Sequence, residues 1–316
     1  MSASLDEQGP LVTALIPTYN CADFLPEAIE SALAQDYAPI EIVVADDGST
    51  DHTPQVLEAF ADRIRCVTIP HGGPGAARNA ALRASTGSLI AFLDADDVWL
   101  PGKITAQVRI MRERPEAGVC HAGYEMFGGK EGPVVYDGSE RYEGDCFERQ
   151  FRHNGLATTS VLIRRRLLPP HGFYEDMPIT QDYATWVQVL LSCQVVYIPE
   201  VMHRYRVHAG QNTRGKARRW GIYEGLARLR MLDAVGVQLP AGERERLRAW
   251  ALERLEQNTY DRYWRGDYKW AALGFSFLRR FGRSVPLRHH VFAALRGMRI
   301  MGRTTMASAD LAGESI

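Results

Sequence analysis

The sequence lacks several features that would assign it to a well-defined class of protein. Its five cysteines include no CxxC pair, which is typical of reduced thiols rather than of a disulfide framework or a zinc site. No apolar run reaches the roughly 18 residues of a membrane-spanning helix. The first ten residues, MSASLDEQGP, lack the basic and apolar regions of a secretory signal. We therefore expect a cytoplasmic protein.

The chain also has almost no net charge, because 37 Lys and Arg residues stand against 38 Asp and Glu residues. This balance provides no attraction of the whole protein for nucleic acid, although it can hide regions of opposite sign. With 46% hydrophobic residues in 316, the chain can bury a sizeable core. Length and composition predict one large domain, alone or with an appendage.

Short apolar runs alternate with helical patterns through the first hundred residues. Runs of this length suit strands buried on both faces, and we predict four of them over residues 11–16, 40–45, 64–69 and 89–93. The βαβαβαβ order predicts an α/β fold with a mostly parallel sheet flanked by helices. Helices are predicted at 24–33, 53–61, 76–84, 103–114 and 182–192, further strands at 159–163 and 195–198, and a polar loop region at 127–144.

The pattern changes to helices alone near Gly215. A helical stripe runs through Ile222, Leu226, Leu229 and Leu232, and residues 244–262 and 270–281 also read as helices. We therefore predict two domains, a catalytic domain over residues 1–214 and a helical C-terminal region over residues 215–316.

Polar segments adjoin the predicted strands of the first domain. PTYN, DDGSTD and DADD follow the first, second and fourth strands, and GGPGAARN opens the third helix. Ligands of parallel α/β sheets bind beyond the carboxyl ends of the strands, so these segments are expected to converge on one site. Each also has an ordinary interpretation as a turn, a helix cap or a glycine loop.

The DADD segment is the clearest candidate for a metal site. Asp94 and Asp96 are two residues apart, so in an extended or turning backbone both point to one ligand while Asp97 turns aside. Carboxylates this close repel one another, and Mg²⁺ relieves the repulsion by binding one or two of them together with phosphate oxygens. A cap of the helix after Pro101 is the alternative.

Taken together, IPTYN, VVADDGSTD, GPGAARNAAL, LIAFLDADD, TQDYATW and YRVHAGQNT resemble the family 2 glycosyltransferases of the GT-A fold. The resemblance covers residues 11–213. It implies an inverting enzyme that uses Mg²⁺ or Mn²⁺ and moves a hexosyl or N-acetylhexosaminyl group from a nucleotide-sugar donor, a UDP-sugar being favoured. The implied acceptor is a hydroxyl of a glycan or lipid-linked oligosaccharide in cell-surface polysaccharide synthesis.

The resemblance also implies roles for individual residues. The implied nucleotide-binding residues are Pro17 and Tyr19 beside the base, Asp46 as an acceptor from the base, Asp47 in the turn beside it, Arg78, and Asp94 near the ribose. The implied metal ligands are Asp96, Asp94 and His208, and the implied general base is Asp182. His208 has a second interpretation as a solvated loop residue, and Asp182 as a helix cap.

The family pattern is not fully matched. Gln181 stands where a Glu usually precedes the base, and Gln188 stands where an Arg often follows it. The implied base itself is present, so activity is still expected. A nucleotide-sugar or glycan-binding protein of the same fold without turnover is the alternative. A nucleotidyltransferase ranks lower, because GGPGAARN has a single Arg and no Lys.

The C-terminal region combines basic and aromatic residues. From Arg262 to Arg303 ten basic residues face a single acid, Asp267, and are interleaved with aromatic and aliphatic side chains. Such a pattern is typical of helices on an anionic membrane surface, here the inner face of the plasma membrane. An ordinary helical subdomain is the alternative, and the family resemblance argues against a nucleic-acid partner.

Overall fold

The structure is a computed structural model that describes residues 9–129, 131–135, 142–211, 217–235, 238–286, 289 and 291–295. The chain divides into two compact units, one of Met1–Met177 and Gln181–Ala209 and the other of Pro178–Thr180 and Gly210–Ile316. The predicted boundary between residues 214 and 215 lies outside the described residues and stays a prediction. Within the described ranges, no helix is long and apolar enough to cross a membrane.

The first unit alternates strands and helices. Its strands are β1 (Val12–Thr18), β2 (Ile40–Asp46), β3 (Arg65–Thr68), β4 (Leu89–Phe92), β5 (Val98–Trp99), β6 (Ala117–Phe127), β7 (Gly132–Val134), β8 (Leu162–Arg164) and β9 (Gln194–Arg206). Its helices are α1 (Leu25–Leu33), α2 (Thr53–Ala59), α3 (Pro74–Ala84), α4 (Lys103–Glu113), α5 (Phe147–Arg152) and α6 (Gln181–Val189). The first three helices each carry a proline at the first or second helical position, where its missing N–H costs no hydrogen bond.

One sheet with the order β3-β2-β1-β4-β8-β6-β9-β5 runs through this unit, and β7 pairs with β6. The four strands predicted first are parallel to one another, as expected, and Thr18, Asp46 and Thr68 are aligned at their carboxyl ends. β8 then pairs antiparallel with both β4 and β6. Because β4 and β8 run in opposite directions, the residues before β8 lie beside the residues after β4.

The core lies on both faces of the parallel half of the sheet. β4 is buried along its whole length, which explains its uninterrupted apolar sequence. α1 buries Leu25, Ala28, Ile29 and Ala32, a stripe at helical spacing. The sheet thereby gives a rigid base to the loops at its carboxyl edge.

Two predictions for the second half of this unit were wrong in detail. Residues 159–163 do not form one strand, because Thr158–Ser160 is a 3-10 turn and β8 begins only at Leu162. The region 127–144, predicted as loop, contains β7. A segment such as TTSVL, in which hydroxyl residues precede apolar ones, does not distinguish a strand from a tight turn whose hydroxyls are buried.

The second unit is helical, as predicted. Its described helices include α7 (Ala217–Val235), α8 (Ala241–Trp264) and α9 (Tyr268–Arg280), and residues 291–295 are helical as well. Ile222, Leu226, Leu229 and Leu232 are all buried, so the predicted stripe is the core face of α7. Four of the basic residues noted in the sequence, Arg288, Arg296, Arg299 and Arg303, lie outside the described residues.

Candidate active site

The loops after β1 and β2 are tied together at the carboxyl edge of the sheet. The Asn20 side-chain oxygen accepts a hydrogen bond from Thr50 N at 2.8 Å, and Asn20 N donates to Ser49 Oγ at 2.9 Å. Asn20 has φ +47°, a conformation that Asn tolerates better than other non-glycine residues. PTYN and DDGSTD therefore form one polar surface, as their positions in the sequence predicted.

Asp46 and Asp47 lie side by side but have different partners. Asp46 is buried at the end of β2 and accepts a hydrogen bond from Ser49 N at 3.1 Å. Asp47 accepts from Gly72 N at 2.7 Å and Gly73 N at 2.9 Å. Asp47 thus anchors the glycine loop that opens α3, and its implied role in nucleotide binding stays a prediction.

Tyr19 stacks on a residue that no sequence pattern identified. The rings of Tyr19 and His71 lie 4.2 Å apart between centroids and are 25° from parallel. His71 Nδ1 lies 2.9 Å from Asp47 Oδ2, so Asp47 helps to hold the histidine ring in place. Tyr19 is 44% exposed, and an exposed aromatic face beside Pro17 is a suitable surface for a nucleotide base. No motif marked His71, because its role depends on ring geometry.

Arg78 is a buried cation with spare hydrogen-bonding capacity. It lies on α3 at 5% exposure, and its Nη2 donates to Asp94 Oδ1 at 2.7 Å. Its Nε and Nη1 have no hydrogen-bond partner among the described residues. Buried donors without partners are costly, and phosphate oxygens are well matched to a guanidinium. Arg78 is therefore suited to an anionic ligand.

Its neighbour Asn79 has a structural role instead. The Asn79 amide donates to Phe173 O at 2.8 Å, and its oxygen accepts from Phe173 N at 2.8 Å. These bonds fasten α3 to the segment before α6. The position of Asn79 well inside the helix is explained by this tertiary contact.

The DADD segment forms a turn rather than a continuation of the strand. Asp97 N donates to Asp94 O at 3.0 Å, and β4 ends at Phe92, so of the two expected backbones, extended or turning, the structure has the turning one. The carboxylates still interact. Burial raises the pKa of Asp94, the charges of Asp96 and Asp182 raise it further, and the Arg78 cation opposes the rise.

Asp97 is the anchor of this turn. It is buried and accepts hydrogen bonds from Thr159 Oγ1 at 2.6 Å and Arg206 N at 2.9 Å. Burial raises the pKa of Asp97 well above its usual value, and the neighbouring aspartates add to the rise. The alternative of a helix cap does not agree with this geometry, because Gly102 occupies the N-cap position of α4.

Asp96 and His208 form the candidate metal-binding pair. His208 Nε2 lies 3.0 Å from Asp96 Oδ2, and both side chains are about a quarter exposed. A carboxylate oxygen and an imidazole nitrogen are suitable ligands for Mn²⁺, and the carboxylate alone suits Mg²⁺. In the described part of the chain, no group of three or more His, Cys, Asp or Glu side chains is arranged to hold a metal ion. The pair therefore fits an ion whose remaining coordination positions are filled by phosphate and water. The set of three ligands that includes Asp94 stays a prediction.

The two arginines before His208 have acidic partners within the chain. Arg206 forms an ion pair with Glu27, and its Nε donates to Asp96 O at 2.8 Å. Arg204 Nε lies 3.4 Å from Glu125. Arg206 thus supports the backbone of the acidic turn, a role that the sequence did not suggest.

Asp182 lies in the first turn of α6. Its Oδ2 accepts a hydrogen bond from Thr158 Oγ1 at 2.9 Å, and its Oδ1 accepts from Tyr183 N at 2.7 Å. Thr180, just before the helix, has φ +65°, a strained conformation for a β-branched residue. The side-chain oxygen of Gln181 is buried without a hydrogen-bond partner among the described residues. Such strain and unsatisfied polarity are common at functional sites.

The parallel half-sheet with polar loops converging at its carboxyl edge is the arrangement expected of the GT-A fold. Comparisons with known proteins agree. The sequence matches the family Glycosyl transferase family 2 over residues 13–166. It is 31% identical over 223 residues to an uncharacterized glycosyltransferase of Rickettsia prowazekii, covering 69% of this chain and 70% of that protein.

A further relative has a more detailed name. The chain is 30% identical over 233 residues to the Escherichia coli UDP-Glc:alpha-D-GlcNAc-diphosphoundecaprenol beta-1,3-glucosyltransferase WfaP, covering 72% of this chain and 88% of that protein. These matches show that the chain belongs to glycosyltransferase family 2 and is a glycosyltransferase. The family expected from its motifs is therefore confirmed.

Solved structures confirm the fold. TarS residues 1–349 of S. aureus in complex with UDP-GlcNAc match with a TM-score of 0.69 at 17% identity, covering 92% of this chain and 88% of that one. The mannosyltransferase PcManGT of Pyrobaculum calidifontis, in complex with GDP-Man and Mn²⁺, matches with a TM-score of 0.56 at 20% identity, covering 96% and 82%. The GT-A fold predicted from the sequence is that of these proteins.

Proposed function

We propose that the chain transfers a hexosyl or N-acetylhexosaminyl group from a UDP-sugar to a hydroxyl of a glycan or lipid-linked acceptor, with inversion at the anomeric carbon. One observation carries the proposal. The first unit holds two separate acidic groups, the Asp94–Asp97 turn and Asp182, and the adjacent residues Thr159 and Thr158 donate hydrogen bonds to Asp97 and Asp182, respectively. Such a pair suits a donor diphosphate on one side and an acceptor hydroxyl on the other.

The donor side of the proposed site uses residues of three loops. Tyr19 stacks on the base, Asp46 accepts a hydrogen bond from it, and the spare Nε and Nη1 donors of Arg78 bind phosphate oxygens. A divalent ion held by Asp96 and His208 would stabilise the charge that develops on the leaving diphosphate. The complex of PcManGT with GDP-Man and Mn²⁺ supports a metal of this kind.

The acceptor side requires a single base. Asp182 takes the proton of the acceptor hydroxyl as that oxygen attacks the anomeric carbon from the face opposite the leaving group. Attack from the opposite face inverts the configuration, and no covalent intermediate is needed. The two oxygens of Asp182 are held by Thr158 and by the backbone of Tyr183, which orients the carboxylate before the acceptor arrives.

The names of the relatives support the choice of donor and acceptor. Two E. coli relatives, WfaP and WfgD, are named as transferring glucose from UDP-Glc to alpha-D-GlcNAc-diphosphoundecaprenol. TarS was crystallised with UDP-GlcNAc. A lipid-linked acceptor would give this chain a part in cell-surface polysaccharide synthesis, and the catalytic role would belong to the domain predicted over residues 1–214.

A transfer assay tests the proposal. The purified chain is incubated with Mn²⁺ or Mg²⁺, a GlcNAc-diphospholipid acceptor and, in turn, UDP-Glc, UDP-GlcNAc, GDP-Man and dTDP- and CDP-sugars. We expect product from a UDP-sugar, with an anomeric configuration opposite to that of the donor. Binding of UDP-sugars with no product and no hydrolysis across the panel would instead favour a binding protein of the same fold.

We also propose that the second unit contacts a membrane surface at the inner face of the plasma membrane. Trp264 is 73% exposed and Leu295 is 55% exposed, and the rings of both Trp264 and Phe292 contact Tyr263. These apolar groups support insertion into the headgroup region. The neighbouring basic groups contribute less than their number suggests, because Arg265 and Arg283 form ion pairs with Asp261 and Glu256.

Flotation with anionic vesicles checks this contact. We expect the full chain to float, and the Trp264→Ala variant to float several-fold less while Trp220→Ala, on another helix, floats as the parent does. High salt should leave most of the binding, since apolar groups carry it. If the parent chain does not float, the proposed membrane contact is rejected.

A further inference from the structure

Two adjacent threonines lie between the two acidic groups of the site. Thr158 Oγ1 donates to Asp182 Oδ2 at 2.9 Å. Thr159 Oγ1 donates to Asp97 Oδ2 at 2.6 Å and accepts from Asp94 N at 3.2 Å. Consecutive residues therefore hold the candidate base with one hydroxyl and the acidic turn with the other.

The turn that carries these threonines is itself firmly held. Trp99 Nε1 donates to Thr159 O at 3.3 Å, and Gln107 Nε2 donates to Ser160 O at 2.8 Å. Ser160 N closes the 3-10 turn on Ala157 O at 2.9 Å. Residues 158–160 are all buried, so bulk water does not compete for these hydrogen bonds.

The support extends into the core through a buried lysine. Lys103 Nζ donates to Gln107 Oε1 at 2.7 Å and lies 4.6 Å from the centroid of the Trp99 ring. Lys103 thus contacts both side chains that bind the backbone of the turn. A fully buried lysine is expensive, and its desolvation lowers the pKa of Lys103 to about 7. The hydrogen bond to Gln107 and the cation–π contact with Trp99 offset part of this cost. The same two contacts help to fix the turn.

We infer that Thr158 and Thr159 are positioning residues for the transfer reaction, and that their turn sets the separation between the base Asp182 and the donor-binding turn Asp94–Asp97. The inference rests on the proposed function, because it assigns the two threonines to the same site. Attack by a hydroxyl requires the base and the anomeric carbon to be held to within a fraction of an ångström. One rigid dipeptide bonded to both groups provides that fixed distance, whereas two independent loops would not.

The experiment compares variants that remove or keep each hydroxyl. Thr158→Val and Thr159→Val remove it with little change of shape, and Thr158→Ser and Thr159→Ser keep it. Thr13→Val is the matched control, because Thr13 is buried like both threonines and, like Thr159, makes one donated and one accepted hydrogen bond, to Glu41 at 2.7 Å and from Gly87 at 3.2 Å. Thr13 lies near the amino end of β1, whereas the site lies at the carboxyl edge of the sheet.

For Thr158→Val we expect kcat to fall by roughly 10- to 100-fold, because small misplacements of reacting groups lower the rate by factors of this size. The KM for the donor should be unchanged. Thr158→Ser should recover most of the loss. In the Asp182→Asn background, Thr158→Val should not lower kcat any further, because Thr158 acts on the reaction through Asp182. Equal losses in both backgrounds, or a kcat equal to that of Thr13→Val, would overturn the role of Thr158.

For Thr159→Val we expect a higher half-saturating Mn²⁺ concentration and a higher donor KM, both recovered by Thr159→Ser. Thermal unfolding of each variant identifies any that fail to fold, and the serine variants keep the inference testable in that case. If the parent chain transfers sugar but both valine variants keep its kinetic constants, the inference fails while the proposed function stands. If the parent itself transfers from no donor, it is the proposed function that fails.

Discussion

Replacing Asp182 with Asn is expected to lower the rate of sugar transfer by roughly 10²- to 10⁴-fold, the range that general base catalysis usually contributes. The Asn side chain has nearly the same shape, and its amide can still hydrogen-bond to Thr158 and to the backbone of Tyr183. The fold and the orientation of the side chain are therefore kept, and only the capacity to take a proton is lost.

The measurement is a comparison of kcat for transfer with the dissociation constant of the UDP-sugar. We expect the dissociation constant to stay within about twofold of that of the parent chain, since the proposed donor contacts lie elsewhere. Asp62→Asn, at an exposed position, is the control for the loss of one negative charge. Full activity of Asp182→Asn would reject Asp182 as the base, and a large loss of donor affinity would place it on the donor side.

Replacing Asp96 with Asn is expected to lower the transfer rate by roughly 100-fold or more and to remove the dependence of donor binding on Mn²⁺. The physical reason is that a metal supplies several kcal/mol of charge stabilisation, and each change of about 1.4 kcal/mol is a factor of ten in rate. The Asn side chain keeps a hydrogen bond to His208, so the variant removes the charge with little disturbance of the turn.

Thermal unfolding with and without UDP and Mn²⁺ measures this effect alongside the transfer assay. The parent chain should be stabilised more by UDP with Mn²⁺ than by UDP alone, and Asp96→Asn should show no difference between the two. Asp36→Asn, an exposed aspartate bonded to Thr105, serves as the control. Undiminished transfer by the parent chain in excess chelator would refute a metal requirement.

The clustering of the candidate site residues was in part accessible from the sequence. The runs before PTYN, DDGSTD and DADD predicted parallel strands, and parallel strands bring their carboxyl ends together, so the clustering of Tyr19, Asp46 and Asp94 followed from local patterns. The pairing of Asp96 with His208 joins positions 112 residues apart, and the sequence suggested it only through family resemblance.

Other residues of the site gave no local signal. His71 stacks on Tyr19, Arg206 bonds to the backbone of Asp96, and Thr159 bonds to Asp97. No motif contained His71 or Thr159, and Arg206 was part of YRVHAGQNT without an assigned role. Thr159 was even expected to lie in a strand. A hydroxyl that hydrogen-bonds to a buried carboxylate cannot be distinguished in the sequence from one that faces solvent. Strand pairing determines which residue becomes its partner.

The sequence by itself determined the family, the α/β character of the first unit and the helical character of the second, since hydrophobic periodicity and strand-end motifs are local properties of the chain. Only the tertiary structure decided that Asp97 is an anchor, that two buried donors of Arg78 have no hydrogen-bond partner among the described residues, and that the turn before β8 lies against the turn after β4. The antiparallel pairing of β4 with β8 is the reason. It brings Thr158 and Thr159 between Asp182 and the acidic turn, a juxtaposition that depends on contacts between residues more than 60 positions apart.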